Sequence, residues 1–328
     1  MAENRHNVPA SILVVSIVLS SLAYSLLYVV AGSDPSKGSA AEPTNSHHPA
    51  SVSATPPPET KEVNALPSET KEANAPSPEA MPVGDLPGWK QVFTEDFTDG
   101  DVAIGGFPGQ IYSAKWSENY FDGTPDTAGK RGKNSGYYPS KVLSVHDGLL
   151  DFYLHTENGV SMGAAPSPKF APSSERPFNS QTYGRYAVRF KSDALKGFKL
   201  AWLLWPDSKQ WPQDGELNFP EGDLSTYIYA AMHGTGAKDN RVDLFRTETP
   251  FTGWHTAVME WSPGRVEYFL DGQSIGVSMS DTPNKPMHYI LQTESCVKVC
   301  PAPGASAHVY VDWVAIWERS PASSLPVG

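Results

Sequence analysis

Two glutamates five positions apart, Glu216 and Glu221, stand in the run WPQDGELNFPEG at residues 211–222. On a β-strand successive side chains alternate between faces, so Glu216 and Asn218 share one face and Pro220, not Glu221, is next to join them. One extra residue accommodated as a bulge at Phe219 and Pro220 returns Glu221 to the face of Glu216. Proline has no N–H to give to a sheet ladder, so it suits a bulge better than a regular central strand. Two carboxylates then converge over one sheet. Cleavage of a glycosidic bond needs that equipment, because one carboxylate attacks the anomeric carbon while the other protonates the leaving oxygen. The plainer alternative is two surface glutamates on a hairpin.

Other side chains near the motif carry weaker signals. In YIYAAMHG, residues 227–234, the period of two puts Tyr227, Tyr229 and His233 on one face and Ile228, Ala230 and Met232 on the other. The first face reads as a cleft and the second as core, so His233 is a candidate sugar contact or else a satisfied core histidine. Trp202 and Trp211 flank the motif. Sugar rings stack through their apolar faces on exposed indoles, and either tryptophan could instead be a core residue. Gln292 is a candidate donor to a sugar hydroxyl, with a turn-facing amide as the alternative.

The elements that must position these groups are strands. From residue 88 onward the chain holds all nine tryptophans and every phenylalanine, enough aromatic surface for a sizeable core. The dominant period is two. In YGRYAVRFK, residues 183–191, Tyr186, Val188 and Phe190 alternate with Arg185, Arg189 and Lys191. Asp271-Gly272 after RVEYFL and Asp147-Gly148 before LLDFYLH are hairpin signals, and Pro263-Gly264 separates two further strands. The last strand, AHVYVDWVAIW, covers residues 307–317. No apolar helical stripe of three turns occurs in this part. A single all-β domain of two stacked antiparallel sheets over 88–320 is the expectation, followed by a tail at 321–328.

The first 87 residues cannot contribute a core. After a short tail, 1–10, residues 11–31 carry no charge, and as a helix they span about 31 Å, close to a bilayer's hydrocarbon thickness. Its length, beyond the usual apolar core of a cleaved signal, favours a transmembrane signal-anchor, and the small residues at Val29, Val30 and Ala31 leave a cleaved signal peptide as the alternative. Residues 32–87 hold 11 of the 30 prolines and no aromatic residue, with two near-copies of a ten-residue unit at Glu59 and Glu69. Such a composition cannot offset chain entropy by burial and makes a disordered spacer.

The formal net charge of −11 excludes the basic footprint of a nucleic-acid binder. Cys296 and Cys300 enclose three residues; with the domain's histidines scattered, a local disulfide suits an exported protein better than a zinc site, and two free thiols are the alternative.

The motif in its context resembles glycoside hydrolase family 16, the laminarinase-like β-glucanases, whose core motif is Glu-x-Asp-x-x-Glu in its bulged form. WKQVFTEDF (89–97) resembles the family's opening strand and YGRYAVRFK a strand flanking the cleft; GFKLAWLL (197–204) resembles the aromatic segment before the motif. WHTAVMEWSPGRVEYFLDG (254–272) and the closing VYVDWVAIW (309–317) resemble the later strands, so the likeness covers nearly all of 88–318. It implies a curved β-jelly roll with a cleft on its concave face and retaining, endo-acting hydrolysis of internal β-glycosidic bonds without a catalytic cofactor. Glu216 would be the nucleophile and Glu221 the acid/base, with Trp116 and Tyr120 at the cleft edge. The family's aspartate is Asn218 here. An amide still donates to Glu216 but cannot ionise, so the expectation is a weakened or more acid-optimal enzyme. Many family members carry a structural calcium, which the resemblance would place at the Asp312 carboxylate with main-chain oxygens near Glu95 and Gly148.

The implied partner is a polysaccharide: β-1,3-glucan, mixed-linkage glucan or a related exopolysaccharide. Through residues 11–31 the chain would be anchored to the membrane, or be secreted after cleavage; its domain would be extracytoplasmic and monomeric. Two further readings stand beside hydrolysis, a tethered non-catalytic β-glucan-binding module and a transglycosylase remodelling cell-surface polysaccharide.

Overall fold

A computed structural model describes residues 80–170, 180–236 and 241–320. The apolar segment 11–31, the spacer up to residue 79 and the tail 321–328 lie outside the described residues. Among the described residues no helix is long and apolar enough to cross a membrane.

Almost every stretch of alternating apolar and polar residues forms a strand. In chain order these are β1 (Trp89–Glu95), β2 (Trp116–Ser117), β3 (Thr124–Pro125), β4 (Ser135–Tyr137), β5 (Leu143–His146), β6 (Leu149–Glu157), β7 (Val160–Gly163), β8 (Ser167–Pro168) and β9 (Gly184–Ser192). There follow β10 (Phe198–Pro206), β11 (Glu216–Asp223), β12 (Tyr227–His233), β13 (Val242–Pro250), β14 (His255–Ser262), β15 (Arg265–Leu270), β16 (Gln273–Ser278), β17 (Met287–Ser295) and β18 (Ser306–Arg319). Among the described residues helix is confined to single turns such as Gly109–Tyr112 and Pro139–Val142. The hairpin signals act as the residue types require. Asp147 and Gly148 take φ of 54° and 70° between β5 and β6, and Asp271 and Gly272 take 50° and 78° between β15 and β16.

The strands form an all-β sandwich. One sheet runs β16-β15-β14-β9-β18-β6-β7-β4-β3, with β1 also on β18 and β5 on β6; the second runs β13-β12-β11-β10-β17, and β2 pairs with β8 in a small two-stranded sheet. Pairing is antiparallel apart from β4 with β7. Between the sheets, Tyr186, Val188 and Phe190 of β9 face Leu200, Trp202 and Leu204 of β10 in one core. The parity that buries Leu200, Trp202 and Leu204 turns Lys199, Ala201, Leu203 and Trp205 to the outer face of the five-stranded sheet.

The sheet domain begins ahead of residue 88. Leu86 and Trp89 exchange backbone hydrogen bonds of 2.9 and 2.8 Å, and Trp317 Nε1 donates to Gly84 O at 2.9 Å. Met81 and Leu86 pack against an apolar patch of Ala187, Val258 and Ala315 on the outside of the larger sheet. Composition put the boundary at the change in proline density, whereas the last few spacer residues cover this patch. Cys296 and Cys300, just past β17, are joined in a disulfide.

Candidate active site

Strand β11 carries the paired glutamates, and its register shows how they meet. Towards β12, Glu216 faces His233, Asn218 faces Ala231 and Glu221 faces Tyr229. Three steps from Asn218 to Glu221 thus match two steps on β12, and β10 repeats the mismatch with Leu203 opposite Asn218 and Ala201 opposite Glu221. The extra residue sits at Phe219 and Pro220, where the sequence places the bulge. Leu217 and Phe219 point into the core while Glu216, Asn218 and Glu221 share the outer face. Gly215 allows the tight entry to the strand: its φ is 76°, and a Cβ there would stand 2.7 Å from His233 O.

The polar groups on this face are closely coupled. Asn218 is 2% exposed and donates its amide to Glu216, while its Oδ1 lacks a partner. Glu221, 7% exposed, accepts from Lys199 Nζ at 2.5 Å and from the Tyr229 hydroxyl. Lys199 also lies 4.0 Å from Glu294 on β17, whose carboxylate accepts from Thr127. Burial pushes the Glu216 carboxyl above the ordinary glutamate value; Glu221 adds to the rise, while His233, the Asn218 hydrogen bond and Lys199 oppose it. Burial would lower Lys199, but Glu221, Tyr229 and Glu294 outweigh it and hold the ammonium charged.

The remaining candidates separate into two groups. Trp211, His233 and Gln292 lie at the outer face. Trp211 is half-buried, stacks on Trp205 with ring centres 6.3 Å apart, and meets His233 edge-on at 5.9 Å. Gln292 accepts from Tyr137 at 2.8 Å, and Tyr120 stacks on Tyr137 at 4.7 Å, so these rings roof Ala201, Leu203 and Ile290 beside β11. Trp202 and Trp116 do not belong to the site. Trp202 is fully buried with its ring 5.2 Å from Phe190, and Trp116 is fully buried among Phe93, Phe97 and Phe107. Neither presents an indole face to a sugar.

The side chains at the positions suggested for calcium are engaged by other partners. Asp312 accepts from Arg189 Nε at 2.9 Å, so a guanidinium already holds the carboxylate. Glu95 faces Lys115 at 3.4 Å and accepts from Phe97 N, while Gly148 serves the β5–β6 turn. No cluster of three or more His, Cys, Asp or Glu side chains suited to a metal occurs among the described residues.

Sequence reasoning passed over Lys199, Trp205, Tyr137 and Glu294. Parity alone reaches Trp205 and Lys199, which share the outward set of β10, and Glu294, two residues past Gln292 on β17. Tyr137 comes from the distant β4 and carries no local signal.

Comparison with known proteins gives a consistent likeness. The family described as Glycosyl hydrolases family 16 matches residues 167–314, a span containing Glu216 and Glu221. A beta-glucanase of Rhodothermus marinus is 30% identical over 108 residues, 28% of this chain and 36% of that protein. A glucan endo-1,3-beta-glucosidase of Cryptopygus antarcticus is 25% identical over 121 residues, 34% of this chain and 45% of that protein. The chain therefore spans less than half the length of either curated relative. The laminarinase catalytic domain of Thermotoga maritima MSB8 superposes with a TM-score of 0.56 at 18% identity, covering 72% of this chain and 100% of that one, a likeness of fold.

Proposed function

Residues 167–314 match glycosyl hydrolases family 16, and from that likeness we propose that the chain is a retaining, endo-acting glycoside hydrolase of a β-glucan. Glu216 attacks the anomeric carbon while Glu221 gives its proton to the departing glycosidic oxygen, leaving a glycosyl ester on Glu216. Water then attacks the same carbon, Glu221 takes the water's proton, and the Glu216 carboxylate is released. Asn218 holds Glu216 in line through its amide. Trp211, Trp205 and His233 receive sugar rings at one end of the face, and Gln292 with Tyr120 and Tyr137 at the other. The sandwich is read as a curved jelly roll whose cleft is this outer face.

The observation that carries the reading is the single-residue bulge that turns Glu221 onto the face of Glu216. The names of the curated relatives support β-1,3- or mixed-linkage glucan as substrate. An extracytoplasmic place, anchored or released at residues 11–31, is supported by the uncharged run there and by the disulfide. The domain is taken to act as a monomer.

Glu216→Gln and Glu221→Gln test the assignment. Each removes a charge or proton that the two steps need, so reducing-end release from soluble β-glucan falls by at least about 10³-fold with the melting transition kept. Release that survives both changes sinks the reading.

A further inference from the structure

We propose that Lys199 is a positioning residue of this site: its ammonium fixes Glu221 over the outer face and balances the carboxylates crowded around it. This rests on the assignment of Glu221 to the chemistry.

The geometry is that of a buried ionic chain across three strands. Lys199 lies opposite Asp223 of β11 on one side and Glu294 of β17 on the other. Its Nζ stands 2.5 Å from Glu221 Oε1 and 4.0 Å from Glu294 Oε2, whose side chains are only 10% and 5% exposed. Glu294 is in turn tied to Thr127 in the segment between β3 and β4 that leads to Tyr137. A structural ion pair would do no more than join β10 to its neighbours. This one ends on a carboxylate the proposed reaction uses, on the face where substrate must lie.

The charge count shows what the lysine supplies. Glu216 is faced by Glu221 and Asn218 from its own strand, by His233 from β12, by Lys199 from β10, and by Tyr268 of β15 from beneath. Three carboxylates, at Glu216, Glu221 and Glu294, share this region with one lysine and the neutral Asn218. Burial raises Glu216 most, and Lys199 is one of the groups that oppose the rise. Without the ammonium, the carboxylates lose both a counter-charge and a tether. An arginine keeps the charge but exchanges a compact ammonium for a wider fork.

The test follows the Glu216 carboxyl carbon by ¹³C NMR in the full chain, with the signal identified by its loss in Glu216→Gln. In Lys199→Met the titration midpoint of Glu216 rises by about one pH unit, and in Lys199→Arg it stays within a few tenths of a unit. The kcat of Lys199→Met falls roughly 10²-fold with KM little changed, and the acid limb of its pH–rate profile rises with the midpoint. A folded Lys199→Met whose Glu216 midpoint is unmoved overturns the proposal. Should Lys199→Met lose its far-ultraviolet circular dichroism, Lys199→Arg decides: a midpoint displaced by a whole unit there overturns the charge role. A wild-type chain that cleaves no β-glucan at any pH overturns the glycosidase reading instead, and the NMR comparison still judges Lys199 because it needs no substrate.

Discussion

Glu216 and Glu221 share one face of β11 although their odd separation in sequence would put them on opposite faces of a regular strand. The extra residue at Phe219 and Pro220 is what reconciles the two, and both neighbouring strands register it. Deleting Pro220 removes the extra residue and keeps Glu221 opposite Tyr229 on the outer face, because two steps from Asn218 then restore plain alternation. The expected outcome is a folded variant that still releases reducing ends, within about tenfold of the wild type. Pro220→Ala keeps the residue count and retains activity within about tenfold. A folded deletion variant with no reducing-end release, beside an active alanine variant, contradicts this account of the bulge.

Asn218 gives a pH prediction with a definite sign. Its amide donates to Glu216, and its Oδ1 is an orphan acceptor in a buried site. Asn218→Asp exchanges that donor for a second carboxyl, so two acid groups compete for one proton at contact distance. Glu216 already sits above the ordinary glutamate value, and the change raises the coupled set further. The acid limb of kcat/KM for Asn218→Asp therefore lies at higher pH than that of the wild type. Profiles of the two proteins on one soluble β-glucan check this; an acid limb that stays or moves down shows Asn218 to be a spacer.

Trp202 and Trp211, which flank the same motif, have opposite expected phenotypes. Trp202→Ala empties core space against Phe190 and costs about 3–5 kcal/mol of stability, read by denaturant melts. Trp211→Ala leaves the fold intact and raises KM about tenfold, roughly 1.4 kcal/mol of binding.

Stability also responds to pH away from the cleft. Asp151, 3% exposed, accepts from His308 at 2.9 Å and from His146 at 3.1 Å on the outer side of the larger sheet. The Asp151 hydrogen bond raises His308; burial lowers His146, but Asp147 and Asp151 outweigh it and the net shift is upward. Folded values above the unfolded imidazole value mean stabilisation that is full below about pH 6.5 and is lost as pH rises through the raised values. Both rings are partly exposed, so solvent screening keeps the effect below about 1 kcal/mol. Thermal melts across this range should show a larger fall towards alkaline pH in the wild type than in His308→Gln. Parallel curves contradict the linkage.

Much of the fold was legible because it depends on local alternation. Tyr186, Val188 and Phe190 face inward as the period of two requires, and the hairpins close at Asp-Gly pairs. The bulge was legible because Pro220 cannot serve a regular ladder and the two glutamates have odd spacing. What escaped depends on contacts between distant strands. Trp116 is held by Phe93, Phe97 and Phe107, and Asp312 by Arg189, and neither partnership leaves a local pattern. Trp202 was recoverable: it shares the parity of Leu200 and Leu204, both core, while Trp205 has the outward parity. The Lys199–Glu221 pair needs the register of β10 against β11, which the bulge itself displaces.

The central claim is that the bulged strand supplies both a nucleophile and an acid/base on one face. Stereochemistry reports on that arrangement most directly. Carboxyl groups about 5–5.5 Å apart act by double displacement, whereas an inverting pair about 6.5–9.5 Å apart leaves room for a water on the opposite side of the sugar. Proton NMR of wild-type digestion of a soluble β-glucan, recorded before mutarotation, distinguishes the two. The account predicts the β anomer as the first-formed reducing end; an α anomer appearing first contradicts it.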